Sequence, residues 1–176
     1  MMRHRIKGRK LGRNSPHRRA LFRSLSRAIV LTCDGARNGG VGRIRTTLAK
    51  AKELRPFLER LVTIAVKAKL RFVEAGELAC SYARGTAEWK AWRLTSDGLV
   101  WVAAQAKYIH LYRMLFAVVR SREVVRLLID VVAARFVGRP GGYTRVVRIA
   151  RRRLADGAQL AVIEFVGHAV KLSVAE

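Results

Sequence analysis

Apolar residues recur every three or four positions in several stretches of this chain, the spacing of a helix that buries one face. A first helix is predicted to begin at Ser15, where a hydroxyl cap precedes a proline suited to the first turn. A second is predicted after Thr47, and Pro56 is expected to kink that helix or to shift its start. Its predicted inner face consists of Leu54, Leu58, Leu61, Val62 and Ala65. Two more are predicted after the turn Thr95–Gly98 and after Ser121, whose hydroxyl can cap a helix.

The helix predicted after the turn Thr95–Gly98 lies in the most apolar region, and its buried side is predicted from the same spacing. Its predicted core positions are Leu99, Val102, Ala103, Ala106, Ile109, Tyr112 and Phe116. Among the aromatic residues, Trp101, Phe116 and Phe136 are predicted to lie in a core. For Tyr143, core packing and stacking on a base remain two open alternatives.

Three other stretches alternate or are rich in β-branched residues, which predicts strands. They are Arg43–Thr47, Tyr143–Arg151 and Gln159–Val166. The last two are separated by Asp156-Gly157, a strong hairpin signal. The sequence therefore predicts an α+β protein, with a basic N-terminal arm and several helices packed on a small mixed sheet that has a C-terminal β-hairpin.

At 176 residues the chain is long enough for one domain with a real core. The predicted division is a basic arm over residues 1–14, a single α+β domain over 15–168 and a tail over 169–176. Within the domain, residues 33–42 are expected to form an extended loop, because its glycines interrupt regular structure. Residues from about 69 to 107 are expected to form a helical insertion that is less basic than the rest.

The charge of the chain indicates what kind of partner it binds. The chain has 36 Lys and Arg against 12 Asp and Glu, a net charge of +24. Such an excess is typical of proteins that bind nucleic acid or, less often, an anionic membrane. A membrane span is not expected, because the apolar region Leu99–Val119 is interrupted by polar and charged residues.

The basic positions fall into three groups along the chain: the arm with the first helix, Arg43–Lys52, and Arg135–Arg153. Arginine suits phosphate binding, since its planar fork binds phosphate oxygens bidentately and also stacks on bases. Fully extended at roughly 3.3 Å per residue, the arm from Met2 to Asn14 would reach about 40 Å, enough to thread between RNA helices. Stacking on bases is possible for His4, His17, Tyr143 and the tryptophans.

Catalytic chemistry is poorly supported by the sequence. Paired carboxylates, a nucleophile elbow and a metalloprotease motif are all missing from it. Cys33 and Cys80 form no Cys-x-x-Cys pair, complete no zinc pattern with the scattered histidines, and are predicted to be buried apolar residues. No catalytic residue, metal or cofactor is therefore expected. A free-standing nucleic-acid-binding protein and an enzyme acting on RNA are the rival interpretations.

Three blocks resemble, in order, the bacterial-type family of large-subunit ribosomal protein number seventeen. The first is M-R-H-R-I-K-G-R-K-L-G-R-N-S-P-H-R-R-A-L-F-R, which begins at Met2 and not at Met1. The second is I-R-T-T-L-A-K-A-K-E-L-R-P at Ile44–Pro56, and the third is R-F-V-G-R-P-G-G-Y-T-R-V-V-R at Arg135–Arg148. The stretch Ala161–Val166 is similar to the closing strand of that family.

The resemblance implies a structural constituent of the large ribosomal subunit in the cytoplasm, which supports translation near the nascent-chain exit. It implies large-subunit rRNA and neighbouring ribosomal proteins as partners, with no membrane, cofactor or small-molecule substrate. The rRNA contacts implied by the matching motifs are Arg3, His4, Arg5, Lys7, Arg9, Lys10, Arg13, Asn14, His17, Arg18, Thr46, Thr47, Lys50, Lys52, Arg139, Gly141, Gly142, Tyr143 and Arg145. The basic groups add Arg19, Arg23, Arg43 and Arg45.

The predicted insertion at about 69–107 has no counterpart in the compact members that the chain resembles. It holds all three tryptophans of the chain and four of its twelve acids. Contact with a neighbouring ribosomal protein, contact with a peripheral rRNA segment and packing against its own domain remain open. The aromatic and acidic content favours protein contact over phosphate contact.

Overall fold

The computed structural model describes residues 8–35 and 40–167. Its helices are α1 (Ser15–Leu31), α2 (Leu48–Glu77), α3 (Ala87–Trp92), α4 (Ser96–Val119), α5 (Arg122–Leu127) and α6 (Ala133–Arg135), with a π-helical turn at Leu128–Val132. Its strands are β1 (Arg43–Thr47), β2 (Thr144–Arg152) and β3 (Gln159–Phe165). These elements confirm the α+β class, the small sheet and the C-terminal hairpin.

The three strands form one sheet in the order β1-β3-β2. Ile163 on β3 is opposite Ile44 on β1 and Val146 on β2, and both pairings are antiparallel. The prediction of a mixed sheet is therefore wrong for the described residues. The physical reason is that β3 inserts between the other two strands and runs opposite to both, so that no neighbouring pair is parallel.

The chain divides into two compact units. Unit 1 contains the described residues up to Leu61 and from Gly138 onward, and unit 2 runs from Val62 to Val137. Unit 1 holds α1, the sheet and the first part of α2, while unit 2 holds α3 to α6. The division into an arm, a single domain and a tail stays a prediction.

The core of unit 1 joins one side of α1, one side of α2 and the inner face of the sheet. Ile29 on α1, Leu54 and Leu58 on α2, and Ile163 and Phe165 on β3 are each no more than 1% exposed. Full burial of a side chain of this size stabilises the fold by about 1.5–3 kcal/mol. The spacing of apolar residues in α2 thus predicted its buried side correctly.

The helix caps agree with the sequence at two of three tested positions. Thr95 accepts a hydrogen bond from the Gly98 amide at 3.3 Å, and Ser121 accepts one from the Val124 amide at 3.5 Å. At α1 the cap is Asn14, whose side chain accepts from the amide of residue 17 at 3.1 Å. The prediction of Ser15 is wrong by one residue, because Asn14 has the extended backbone that a cap requires, while Ser15 is already helical.

The long helix α2 begins directly after β1. Pro56 lies inside this helix and does not shift its start, which is at Leu48. A proline removes one backbone donor and crowds the carbonyl four residues earlier. The helix continues to Glu77 in spite of this, since the packing of Leu54, Leu58 and the following apolar positions stabilises it.

In unit 2 the predicted buried side of α4 is wrong. Leu99 is 59% exposed, Ile109 40% and Phe116 38%. The buried positions are instead Gly98, Trp101, Leu115 and Val119. Trp101 and Phe136 are buried, as predicted for core aromatics, whereas Phe116 is not. Cys33 is buried, but Cys80 is only partly so.

Candidate nucleic-acid interface

The segment before α1 has a defined turn from Lys10 to Arg13. The Arg13 amide donates to the Lys10 carbonyl at 3.1 Å, and the Arg13 guanidinium donates to the Leu11 carbonyl at 2.7 Å. Arg9 lies 3.6 Å from the carboxylate of Glu53 on α2. Residues 8–14 are thus held by hydrogen bonds within the turn and by the ion pair with α2. The predicted contacts Arg3, His4, Arg5 and Lys7 lie outside the described residues.

The first turns of α1 carry several predicted contacts at the surface. Asn14, His17 and Arg19 are exposed, and Arg18 and Arg23 are partly exposed. Arg18 donates to the Arg13 carbonyl at 3.3 Å, which connects the helix to the turn before it. Since the apolar side of α1 faces the core, these side chains lie on the side of the helix that a phosphate can approach.

The outer face of the sheet carries a row of charged residues across its three strands. Arg43 on β1 and Arg145 on β2 are both opposite Glu164 on β3, so the three side chains share one face. Glu164 is only 4% exposed and accepts a hydrogen bond from Arg145. Arg45 follows Arg43 on the same face. The buried carboxylate thereby positions Arg145 beside two further cations.

The turn before β2 is held by its own hydrogen bonds. Arg139 donates to the Gly141 carbonyl at 3.0 Å, and the Tyr143 hydroxyl donates to the Arg139 carbonyl at 3.2 Å. Gly142 has φ +62°, a left-handed conformation that residues with a Cβ rarely adopt. Tyr143 is only 3% exposed. Its burial favours core packing over stacking on a base, and the ring helps to present Arg139.

The three basic groups meet at a cleft of about 440 Å³, which we name the arm cleft. Its walls include Arg9 and Arg13 from the arm, Thr47 from the end of β1, Lys50 from the first turn of α2, and Arg153 from the hairpin. The Nε of Arg13 is buried and has no acceptor among the described residues. The first amides of a long helix also point outward and favour an anion. These donors suit a phosphate group.

Arg153 makes an ion pair with Asp156 at the tip of the hairpin. The hydrogen bond from Arg153, with a second from the Ala158 amide, holds the pKa of the Asp156 carboxyl well below its ordinary value. The same hydrogen bond raises the pKa of Arg153. Asp156 is therefore ionised at neutral pH, and it neutralises part of the positive charge on this side of the arm cleft.

A second cleft of about 480 Å³, the hairpin cleft, lies between β1 and the hairpin. Its charged lining consists of Arg45, Arg151, Arg152 and Arg153. The last three are absent from the predicted contacts, although they fall within a stretch that the sequence marks as basic. The run of three consecutive arginines directly after the alternating part of β2 is the signal that could have found them.

All predicted contacts that the structure describes lie in unit 1. The three tryptophans, in contrast, lie in unit 2. The described residues include no group of histidine, cysteine and acidic side chains that could hold a metal ion. Among them, too, no helix has the length and apolar character needed to cross a membrane. The arginines and lysines that line the two basic clefts make these clefts the site that the geometry favours.

A family model described as ribosomal protein L17 matches residues 40–166. The chain belongs to the ribosomal protein L17 family. This confirms the resemblance inferred from the blocks at Met2, Ile44 and Arg135. The region matched to the L17 family also includes the predicted insertion at 69–107.

Relatives with the name large ribosomal subunit protein bL17 align with nearly the whole chain. The protein of Rhodopirellula baltica is 44% identical over 171 residues, which cover 94% of this chain and 81% of that relative. The protein of Thermomicrobium roseum is 38% identical over 165 residues, which cover 94% of this chain and 99% of that relative. The protein of Nitratidesulfovibrio vulgaris is 35% identical over 164 residues, with coverages of 93% and 87%.

Proposed function

We propose that this protein is a structural constituent of the large ribosomal subunit that binds rRNA through the basic surface of unit 1. It acts in the bacterial-type ribosome of the cytoplasm, supports translation and is not an enzyme. Membership of the ribosomal protein L17 family and a net charge of +24 support this function. Its partners are rRNA and neighbouring ribosomal proteins.

The convergence of three separate basic segments at the arm cleft carries the proposal. Arg9 and Arg13, Lys50, and Arg153 come from distant parts of the sequence and line one concave surface. A groove lined by one sign of charge attracts a polyanion, and the curved backbone of folded RNA offers phosphates from more than one direction. Such contacts position the protein without reading sequence.

We further propose that the protein lies near the nascent-chain exit. We also propose that the predicted contact residues bind rRNA, and these lie in the arm, α1, β1, the start of α2, the turn before β2 and β2 itself. The resemblance of the three sequence blocks to the family supports the location. All the described residues in this set except Tyr143 are exposed or partly exposed, which supports their role, because a phosphate contact requires an accessible donor.

Sedimentation of a cell lysate tests the function. We expect a tagged full-length chain to remain in the large-subunit peak at physiological salt. A free-standing nucleic-acid-binding protein would instead spread through the gradient. Ultraviolet cross-linking of the same fractions is expected to join the chain to large-subunit rRNA. A chain that stays outside the large-subunit peak would rule out the proposed function.

A further inference from the structure

The three tryptophans of the chain form one cluster in unit 2. The ring centroids of Trp89 and Trp101 are 6.2 Å apart in an edge-to-face arrangement, and those of Trp92 and Trp101 are 5.5 Å apart. The guanidinium of Arg93 lies 4.9 Å from the centre of the Trp89 ring, and that of Arg84 lies 5.8 Å from the Trp101 ring. We name these five residues the tryptophan cluster.

Two clefts open beside this cluster. One, of about 290 Å³, is lined by Trp89, Arg93 and Ile109, and the other, of about 250 Å³, by Phe72 and Trp92. Arg84, Trp89, Trp101 and Gln105 line both. The Trp101 Nε1 is buried and has no hydrogen-bond acceptor among the described residues. A buried donor without an acceptor is unfavourable, and an occupant that brought an acceptor to it would remove that cost.

The surface near the tryptophan cluster is unusually apolar for a protein of this charge. Leu94 is 81% exposed, Leu99 59% and Val100 55%, and Phe72 and Tyr82 are each more than 40% exposed. Exposed apolar side chains in such number mark a surface that another protein covers. An rRNA backbone would place phosphates against these residues and would leave their apolar area without a partner.

We propose that the tryptophan cluster docks an apolar, acid-bearing segment of a neighbouring ribosomal protein, a proposal that rests on the function given above. An apolar side chain of that segment fills the cleft beside Trp89 and Ile109. A carboxylate of that segment pairs with the guanidiniums of Arg84 and Arg93. Neither of these arginines makes an ion pair with a carboxylate among the described residues. A second copy of this chain is a poor occupant, since two chains of +24 repel each other.

Cross-linking within intact large subunits tests this proposal. A photoreactive amino acid replaces Ile109, which lines the first cleft. We expect it to join a protein segment that mass spectrometry identifies as apolar and acid-bearing. The matched position is Leu154, which is 99% exposed and lines the hairpin cleft, where the same reagent is expected to join rRNA.

Charge reversal at Arg93, which follows the last residue of α3, is compared with charge reversal at Lys90 inside that helix. Arg93→Glu is expected to lower the yield of the Ile109 cross-link at least about tenfold, because it places like charges face to face. Lys90→Glu makes the same change of charge at the exposed position that follows Trp89 in α3. This variant is expected to leave the yield of the Ile109 cross-link unchanged. The tryptophan emission spectrum of the isolated variants reports whether the cluster is still folded, since these are the only tryptophans.

Three outcomes would overturn the proposal. They are cross-links from Ile109 to rRNA alone, no cross-link to any partner, and equal yields from the two charge-reversed variants. Each cross-linking result is measured only on chains that sediment in the large-subunit peak. Failure to reach that peak contradicts the proposed function instead, so the two ideas fail in different ways.

Discussion

Asn14 shows how one side chain sets the start of an element. Its carboxamide oxygen accepts from a backbone amide in the first turn of α1 at 3.1 Å, while its own backbone stays extended. Serine and asparagine are both good caps, so composition cannot choose between adjacent candidates. The choice depends on the turn from Lys10 to Arg13, which leads into the helix and is held by hydrogen bonds within the turn.

Replacing the cap tests this assignment. Asn14→Ala is expected to lower the free energy of unfolding by about 1 kcal/mol, because an orphan amide of α1 loses its acceptor. Ser15→Ala is the matched control and is expected to change stability by less than about 0.5 kcal/mol, because Ser15 already lies within the helix and is exposed. Denaturant unfolding of the full-length chain measures both. A larger loss for Ser15→Ala would restore the cap predicted from the sequence.

At the scale of elements, α4 shows where hydrophobic periodicity fails. Apolar residues lie on every side of this helix, so the spacing of Leu99, Val102 and Ile109 does not identify a unique buried side. Packing at its first turn makes the choice. A Cβ on Gly98 would lie 2.6 Å from the Arg93 Cα and closer still to the Trp92 carbonyl oxygen. The chain leaving α3 therefore presses on Gly98, and Trp101 is the buried residue.

Two glycine substitutions test this packing. Gly98→Ala is expected to destabilise the protein by about 1–3 kcal/mol, because the added methyl group overlaps backbone that cannot move freely. Gly76→Ala, in α2, is the control: apart from its chain neighbours and the backbone of its own helix, no atom of the described residues lies within 4 Å of its Cβ position. There, alanine is expected to stabilise the helix by about 0.5–1 kcal/mol. Thermal unfolding monitored by tryptophan emission measures both, and a neutral Gly98→Ala would contradict the close approach.

For the whole molecule, the important feature is how charge and apolar surface are separated. The described residues predicted to contact rRNA lie in unit 1, and the exposed leucine and valine residues beside the tryptophan cluster lie in unit 2. Basic clefts recruit a polyanion, whereas exposed apolar area recruits protein. The two units thus present surfaces of different chemistry to a ribosome that is made of both kinds of molecule.

The salt dependence of rRNA binding tests the electrostatic part of this division. We expect a plot of the logarithm of the affinity against the logarithm of the salt concentration to have a slope of about −6. This value assumes about eight phosphate contacts, each of which contributes about −0.7 to the slope. Glutamine in place of the exposed Lys10, Arg19 and Lys52 is expected to make the slope shallower by about 2. Filter binding of the full-length chain to large-subunit rRNA measures these slopes.

A control with the same loss of charge in unit 2 makes the test specific. Its three exposed lysines are Lys67, Lys90 and Lys107. Glutamine at these positions is expected to leave the slope unchanged, because they lie outside unit 1, which carries all the described residues predicted to contact rRNA. Equal changes in the two triple variants would mean that net charge alone governs binding, without a defined surface.

The sequence by itself determined the family, the α+β class, the strands of the hairpin and the buried side of α2. These depend on local signals: blocks of residues in order, turn residues such as Asp156-Gly157, and one clear apolar face. Only the tertiary structure decided the antiparallel position of β3, the meeting of Arg9, Lys50 and Arg153, and the buried side of α4. The first two features bring together residues that are far apart along the chain, and the third depends on which of several equally apolar faces of α4 is buried. The spacing of residues within one segment carries no information about long-range contacts or about the choice between such faces.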